Sequence, residues 1–488
     1  MISDSFVLLV QKTLPFELTE MQREVVKRMA DFVFHPKERS AFLLRGYAGT
    51  GKTSIMSAIV KVLHNLGRDV VLLAPTGRAA KVFSQYSGYP AYTIHKEIYR
   101  QRSVGDIDSH FDLDQNKHKN AVFIVDESSM ISNEDSLAAT FGTGSVLNDL
   151  ITYVYSSSGC SMVLVGDNAQ LPPVGEEESP ALCHSVLRGL GLNVVEHELT
   201  TVMRQAEESG ILWNATLLRK QISDLTVSLP DLPKISFSGF SDVVRLPGNE
   251  MVETLETEYD RHGLEQVVVI TRSNKRAVEY NKGIRSVIFG REEGLAVGDV
   301  IMVVRNNYYW IEQLAAEMQR NKIDDRLPTN FIANGDIAIV RRIISHYTFY
   351  DLHFADVTLQ FPDYDDLEMD VRVVLEALTS ETPALTREQS DMLYHGVMDD
   401  YAEIKSKKER MRKLRLDPNY NALQIKYAYA VTCHKAQGGQ WRNVYVDQGW
   451  LPPDGIDRSY VRWLYTAFTR ATDRLYLVNW PDAQSSEK

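Results

Sequence analysis

Cysteine is scarce in this chain, with three residues among 488 and no C-x-x-C pair. This scarcity speaks against a disulfide framework and a zinc site, and it is typical of a reducing, cytoplasmic setting. The chain also lacks an apolar run of membrane-span length, and its start, MISDSFVLLVQKTL, lacks the basic residues and cleavage site of a secretory signal. The formal net charge of −12 argues against a uniformly basic nucleic-acid binder, but it leaves a local basic groove possible.

The length predicts about two to four domains, since 488 residues exceed one hydrophobic core. Short β-branched runs alternate with helical segments in the first 200 residues, and further runs of this kind come late in the chain. They lie at 69–74, 121–127, 161–167, 266–274, 443–448 and 474–480. This pattern favours an α/β fold with parallel sheets, whose functional loops follow the carboxyl ends of the strands.

A different pattern separates the late runs. Residues 297–306, 334–343 and 351–361 read as short strands with polar turns and predict a small β-barrel. Residues 377–417 are polar and predict helices, with the basic run EIKSKKERMRKLR near their end. That run is either a solvated helix face or a nucleic-acid contact.

The segment RGYAGTGKTS at 45–54 matches the phosphate-loop pattern G-x-x-x-x-G-K-[ST]. It follows an apolar strand and precedes a segment with helical periodicity, which is the context that the motif requires. Backbone N–H groups of such a loop bind phosphates. Lys52 is predicted to reach the β- and γ-phosphates, and the Thr53 hydroxyl to hold Mg²⁺.

Polar residues after other strands fit the same site. Asp126 and Glu127 end an apolar strand, where they are predicted to support Mg²⁺ and to polarise the attacking water. Gln170 follows the next strand and either senses a γ-phosphate or is an ordinary turn residue. Gln22, three residues after Thr19, forms a capping box, an adenine contact, or both.

Two isolated arginines and one segment late in the chain suggest further roles in phosphoryl transfer and in nucleic-acid binding. Arg204 and Arg470 lie in uncharged surroundings and are either surface residues or arginine fingers that neutralise a transferring phosphoryl group. The segment YAYAVTCHKAQGGQW at 427–441 is either a buried strand with a tight turn or a loop that holds a sugar–phosphate backbone.

The ordered segments resemble the motifs of superfamily 1 helicases, specifically the RecD-like and Dda-like branch, superfamily 1B. They run from about residue 16 to 480 in the order GYAGTGKT, APTGRAAK, TIHK, VDESSM, GDNAQLPPVG, LTTVMRQ, TRSN, VTCHKAQGGQW, YTAFTRA. The resemblance implies two RecA-like P-loop domains with an SH3-like barrel insertion and a helical insertion. It places domain 1A at 1–200 with a strand-separating pin at 97–120, domain 2A at 201–296 and 422–488, and the barrel insertion, 2B, at 297–421.

The resemblance also implies roles for residues. The ATPase residues are Lys52, Asp126, Glu127, Gln170, Arg204 and Arg470, with Thr53 and Asp126 at the metal. The nucleotide contacts are Gln22, Gly46, Ala48, Gly49, Thr50, Gly51, Lys52, Thr53, Ser54, Arg204, Gly439 and Arg470. The DNA contacts are Pro75, Thr76, Arg78, Thr93, His95, Lys96, Thr271, Asn274, Thr432, His434 and Lys435.

The activity implied is an ATP- and Mg²⁺-dependent DNA helicase that moves 5′→3′ along single-stranded DNA in replication, recombination or repair. Single-stranded and tailed duplex DNA are the expected partners, together with replication or repair proteins. No membrane partner is expected, and the chain is expected to act as a monomer. One alternative is a DNA-stimulated ATPase that assembles on nucleic acid without separating strands. A small-molecule P-loop kinase is a more distant one, disfavoured by the second set of strands.

Overall fold

The structure is a computed structural model. It describes residues 2–101, 111–133, 142–201, 209–224, 232–292, 294–323, 327–329, 331–451 and 456–486.

The first α/β domain holds a six-stranded parallel sheet in the order β3-β2-β6-β7-β1-β8. The central strands are almost wholly apolar because helices cover both faces, whereas the edge strand β8 is largely polar and only partly buried. Two separate hydrophobic clusters occupy the two sides of the sheet. Its elements are α1 (Ile2–Thr13), α2 (Glu20–Phe34), β1 (Ser40–Gly46), α3 (Lys52–Asn65), β2 (Val70–Ala74), α4 (Gly77–Ser87), β3 (Ala91–Thr93), α5 (Ile94–Ile98), β4 (Tyr99–Gln101), β5 (Phe111–Leu113), β6 (Val122–Val125), α6 (Val146–Tyr155), β7 (Ser161–Gly166), α7 (His184–Gly189) and β8 (Asn193–Leu199).

The second α/β domain begins after this sheet, is interrupted by the barrel and resumes later in the chain. Its first part contains α8 (Gly210–Ser223), β9 (Val243–Leu246), α9 (Met251–His262), β10 (Val267–Thr271) and α10 (Asn274–Gly283).

A closed barrel of five strands separates the two parts of this domain. Its neighbouring strands are antiparallel, except for one parallel pair between the last two strands in sequence. The region contains β11 (Val300–Val303), α11 (Tyr309–Arg320), β12 (Ile337–Phe349), β13 (Leu352–Phe361), β14 (Leu367–Val374), α12 (Glu376–Thr379), α13 (Arg387–Asp400), α14 (Lys407–Arg415) and β15 (Leu423–Tyr427).

The chain then returns to complete a five-stranded parallel sheet in the order β16-β10-β17-β18-β9. One hydrophobic cluster runs continuously from this sheet into the barrel, so the barrel is packed directly on its host domain. The returning elements are β16 (Ala430–Thr432), α15 (Cys433–Ala436), β17 (Trp441–Asp447), α16 (Arg458–Phe468) and β18 (Ala471–Val478).

The predicted fold class is confirmed, since both parallel sheets and the barrel are present. The proposed boundary at 422 assigns residues 423–427 to domain 2A, whereas their hydrogen bonds to β11 and β14 place them in the barrel. The sequence missed this because LQIKY reads equally well as a strand of either sheet. The other domain boundaries stay predictions.

Two further sequence hypotheses map onto defined elements. The proposed pin corresponds to the antiparallel pair β4–β5, and its residues 102–110 lie outside the described residues. The basic run lies largely on α14, which packs through Leu414 against Leu393 and Val397 of α13. Both interpretations of that run stay open. In the part of the chain that is described, no helix has the length and apolarity needed to cross a membrane.

Candidate nucleotide and nucleic-acid sites

The phosphate loop connects β1 to α3 at the carboxyl edge of the first sheet. Gly49 and Gly51 adopt left-handed φ angles of 75° and 80°, which explains the need for glycine at these two positions. The Lys52 ammonium donates to the Tyr47 carbonyl oxygen at 2.9 Å and lies 4.0 Å from the Asp167 carboxylate. The lysine is therefore held at the mouth of the loop, at the start of α3.

The acidic residues follow strands adjacent to the loop. Since β6, β7 and β1 are neighbours in the sheet, Asp126, Asp167 and the phosphate loop lie side by side at one edge. Burial, followed by the negative charge of Glu127, raises the pKa of Asp126 to about 7, against the opposing charge of Lys52. Glu127 has a left-handed φ of 51°, and its N–H donates to the Asp126 carboxylate at 2.9 Å.

Asp167 was not among the predicted site residues, although it stands in the motif that contains Gln170. Burial raises the pKa of its carboxyl group, while Lys52 acts in the opposite direction. Its carboxylate accepts a hydrogen bond from the Ala169 N–H at 2.9 Å, which shapes the turn leading to Gln170. Its position after β7 and before a turn was the available signal.

Gln22 has one of the two roles that its spacing suggested, the capping box, and makes a further contact with the phosphate loop. The capping box is confirmed: Thr19 Oγ1 accepts the Gln22 N–H at 3.2 Å, and Gln22 Oε1 accepts the Thr19 N–H at 3.0 Å. The side-chain amide also donates to the Thr50 carbonyl oxygen at 3.0 Å. Gln22 thus ties helix α2 to the phosphate loop, and its contact with adenine stays a prediction.

Gln170 is buried, and its side-chain oxygen has no hydrogen-bond partner among the described residues. An unpaired buried acceptor costs about 1–3 kcal/mol, which is tolerated where a ligand or water satisfies it. Together with its position near Asp167, this orphaned oxygen fits a residue that contacts a bound nucleotide or the water that attacks it.

Helix α16 of the second domain projects into this edge of the first domain. The Tyr465 hydroxyl accepts a hydrogen bond from the Ala48 N–H at 2.8 Å and donates to the Asp167 carboxylate at 2.6 Å. Thr466 Oγ1 accepts the Leu171 N–H at 2.9 Å. Tyr465 was not among the predicted site residues, because nothing in its local sequence pattern indicates a partner 417 residues earlier.

A second element of the same domain contacts the same turn. The Gln437 side-chain amide donates to the Leu171 carbonyl oxygen at 2.7 Å, so Leu171 is bound through both its backbone groups. The cleft therefore has one wall from each α/β domain, joined by direct hydrogen bonds.

Arg470 lies just after α16 and is almost fully buried. Its guanidinium donates to the carbonyl oxygens of Thr466 at 3.1 Å and Gly439 at 3.2 Å, both in its own domain. Its role as an arginine finger stays a prediction, as does the nucleotide contact of Gly439. Arg204 lies outside the described residues.

The predicted DNA contacts of the first domain gather after β2 and β3, whose ends are paired through Ala74 and Thr93. Thr76 and Thr93 are N-caps of α4 and α5, and each hydroxyl accepts a backbone N–H at 3.2 Å. The Lys96 ammonium donates to the Pro328 carbonyl oxygen at 2.9 Å. The other members of this set are Pro75, Arg78 and His95; burial lowers the pKa of His95 to about 4.

Arg78 lies at a contact between the two α/β domains. Its guanidinium carbon lies 3.9 Å from the centre of the Trp441 ring, and it donates to the Gln440 carbonyl oxygen at 3.1 Å. Gly438 faces Thr76 across this contact and has a left-handed φ of 73°; a Cβ there would lie 3.1 Å from the Thr76 hydroxyl. The paired glycines thus permit close approach of the domains, and the DNA contact of Arg78 stays a prediction.

The predicted DNA contacts of the second domain follow β10 and β16, where Thr271 pairs with Thr432. The Thr271 hydroxyl is buried and donates to the Ser273 carbonyl oxygen at 3.1 Å. Burial, followed by the charge of Lys426, lowers the pKa of Lys435 to about 8. Asn274 and His434 complete this set beside them.

The donor set fits a magnesium nucleotide. Thr53 is the second residue of α3, and Asp126 is a half-buried carboxylate beside the loop. Both offer oxygen ligands of the kind that Mg²⁺ uses with phosphates. Lys52 and the loop N–H groups supply positive potential, and the orphaned Gln170 oxygen supplies an unfilled polar position.

Two family models match parts of the chain: an AAA domain at residues 17–226 and a UvrD-like helicase C-terminal domain at residues 427–478. The chain is similar to the ATP-dependent DNA helicase dda of Enterobacteria phage T4, with 24% identity covering 68% of this chain and 69% of that protein. It is also similar to the ATP-dependent RecD2 DNA helicase of Deinococcus radiodurans, with 29% identity over 40% of this chain and 23% of that protein.

Among solved structures, the Pif1 helicase from Bacteroides in complex with ADP-AlF3 and single-stranded DNA aligns over 97% of this chain and 95% of that chain. The identity is 14% and the TM-score 0.46. The family models cover the phosphate-loop domain and the segment from β15 to β18, and the curated relatives include both types of helicase that the motifs resemble. The family models and the curated relatives together support a superfamily 1B helicase.

Proposed function

We propose that this protein is an ATP-dependent DNA helicase that moves 5′→3′ along single-stranded DNA and separates duplexes. The observation that carries the proposal is the cleft between the two α/β domains. One wall presents the phosphate loop, Asp126 and Glu127, and the other presents Tyr465 and Thr466 in direct contact with the first wall. A nucleotide bound there would change how the two domains meet.

Each residue has a definable task in this cleft. The loop N–H groups and Lys52 bind phosphate oxygens, while Thr53 and Asp126 would hold Mg²⁺, which supplies charge neutralisation at the phosphates. Glu127 orients the attacking water as a general base. Gln170 connects the nucleotide to the domain contact, because its turn also carries Leu171, which binds Thr466 and Gln437.

Movement along DNA follows if the two α/β domains that form the cleft change their separation when nucleotide binds, is hydrolysed or leaves. The predicted DNA contacts fall into one group on each α/β domain, at the ends of β2 and β3 and at the ends of β10 and β16. A change in the separation of the domains changes the distance between the groups, so alternating grip converts ATP turnover into steps. The direction depends on which group holds more tightly in each state, and the 5′→3′ assignment rests on family resemblance.

A second candidate is a DNA-stimulated ATPase that assembles on nucleic acid without separating strands. It uses the same cleft and the same DNA contacts, but it requires no strand-separating pin. The antiparallel pair β4–β5 favours the helicase, since it follows α5 and its predicted DNA motif directly and lies within the segment predicted as the pin.

The decisive experiment uses two partial duplexes with identical paired regions, one with a 5′ single-stranded tail and one with a 3′ tail. ATP turnover is measured with and without single-stranded DNA, and strand release is measured on both substrates. Lys52→Ala is the control, because it removes the phosphate-binding cation from a half-buried position without opening a core cavity. We expect turnover that DNA stimulates and release from the 5′-tailed substrate alone.

Each result separates one part of the proposal. Stimulated turnover without release from either substrate supports the assembly ATPase, and release from the 3′-tailed substrate overturns the direction. DNA stimulation of the ATPase should also weaken as the salt concentration rises, because phosphate contacts release counterions.

We further propose that the protein acts as a monomer in the cytoplasm on single-stranded and tailed DNA in replication, recombination or repair.

A further inference from the structure

A groove at the carboxyl edge of the second sheet lies beyond the predicted DNA contacts. The sheet order places the ends of β16, β10, β17 and β18 in a row. Thr432 and Thr271 occupy the first two positions, and register pairs Thr271 with Asp447 at the third. The groove begins beside Arg272, continues past Asp447 to Asn479, and has a volume of about 710 Å³.

Trp450 stands at this groove with 80% of its side chain exposed, more than any other large hydrophobic side chain among the described residues. Its position is set by a built turn: the Gly449 N–H donates to the Asp447 carboxylate at 2.8 Å, and Gly449 has a left-handed φ of 66°. The same carboxylate accepts from Arg276 at 2.9 Å, which fixes the floor of the groove.

The charge of the groove is positive once its internal pairs are counted. Arg276 is bound to both Asp447 and Glu279 and offsets one of these two negative charges, and the two remaining cations of the groove outweigh the other. Arg272 and Lys275 are exposed on the rim and form no ion pair within the described part of the chain. An exposed indole in the same groove as two cations without ion-pair partners is suited to a base and its flanking phosphates.

We propose that Trp450, Arg272 and Lys275 form a base-stacking site that extends the single-stranded DNA path by about one or two nucleotides beyond Thr271 and Thr432. The indole stacks on a base and the two cations contact the adjoining phosphates, so the site favours no particular sequence. This inference rests on the proposed DNA-binding function, because the strand reaches the groove only along the row of strand ends.

The test is equilibrium binding of a length series of fluorescent oligothymidylates to wild type and to Trp450→Ala. The variant loses stacking on one aromatic side chain, so it should bind long oligonucleotides on the order of tenfold more weakly. Oligonucleotides too short to reach the groove should bind both proteins equally. Trp450→Phe should recover most of the affinity, because a phenyl ring still stacks.

Two further variants complete the design. Trp213→Ala removes another exposed tryptophan, 49% exposed on α8 beside Phe240, and should bind every oligonucleotide like wild type. Lys275→Gln should weaken binding of long oligonucleotides and lower the dependence of log affinity on log salt by about one. Thermal unfolding checks that each variant is folded.

The outcomes are distinguishable. Equal affinities of wild type and Trp450→Ala at every length overturn the stacking site and leave the helicase proposal standing. If Trp450→Ala weakens the binding of short and long oligonucleotides equally, the stacking site is also overturned, since the indole would then affect DNA contacts outside the groove. Failure of wild type to bind single-stranded DNA overturns the helicase proposal and this inference together.

Discussion

Replacing Tyr465 with phenylalanine removes one hydroxyl group from the contact between the two α/β domains. This hydroxyl accepts the Ala48 N–H and donates to the Asp167 carboxylate. Ala48 belongs to the phosphate loop, whose N–H groups bind phosphate oxygens in such motifs. The tyrosine hydroxyl and a nucleotide phosphate therefore compete for one donor, and the phenylalanine variant should bind nucleotide more tightly.

The size of the effect follows from the two hydrogen bonds. A neutral N–H···O bond contributes about 0.5–1.5 kcal/mol net, which corresponds to about 2- to 13-fold in nucleotide affinity. The bond to the Asp167 carboxylate is charge-assisted and contributes about 1.5–3 kcal/mol. It does not involve the phosphate-binding N–H, so its loss should lower the unfolding temperature of the variant rather than oppose the gain in affinity.

The assay is equilibrium binding of a fluorescent ADP analogue without DNA, with thermal unfolding measured in parallel. Tyr460→Phe is the matched control: Tyr460 lies on the same helix and is equally buried, but its hydroxyl donates to Gln448 and contacts no residue of the loop. An unchanged or weaker affinity in Tyr465→Phe would refute the competition. A gain of the same size in Tyr460→Phe would show a general loosening of α16 instead.

The remaining predictions concern other groups of the cleft, the DNA path and the barrel. Glu127→Gln should retain ATP in a filter-binding assay but hydrolyse it very slowly; near-normal turnover contradicts its role as general base. Arg470→Ala should reduce kcat on the order of 10³-fold with little change in nucleotide affinity, and the reverse split would make it a simple binding residue. DNA affinity should fall as pH rises through 8, because Lys435 loses its proton there; Lys435→Arg, which stays charged, should show less of this fall. Burial raises the pKa of Asp336 to about 7, so its stabilising contribution is complete below about pH 4 and is lost as pH rises through 7. Between pH 4 and 7 the unfolding temperature of Asp336→Asn should therefore decline less than that of wild type. An equal decline in the two proteins would contradict the raised pKa of Asp336.

Much of the fold could be predicted from the sequence, because strands and the loops after them are encoded by local patterns of apolar and polar residues. Apolar runs before Gly46, Asp126 and Asp167 predict buried parallel strands, and the polar residues after them predict the edge where the site lies. The boundary at 422 failed because LQIKY is a strand in either assignment. Only its partners, β11 and β14, decide between the sheets.

The phosphate loop and its glycines can be predicted from the sequence alone, because spacing within one strand–loop–helix unit sets their geometry, and the acidic neighbours Asp126 and Glu127 can be predicted because they directly follow another apolar strand. The sequence alone does not give the residues of the second domain that meet that unit. Tyr465 and Thr466 contact Ala48 and Leu171 across separations of 417 and 295 residues. Such contacts depend on how two separately folded sheets pack, and that packing is decided by the whole interface rather than by any local pattern.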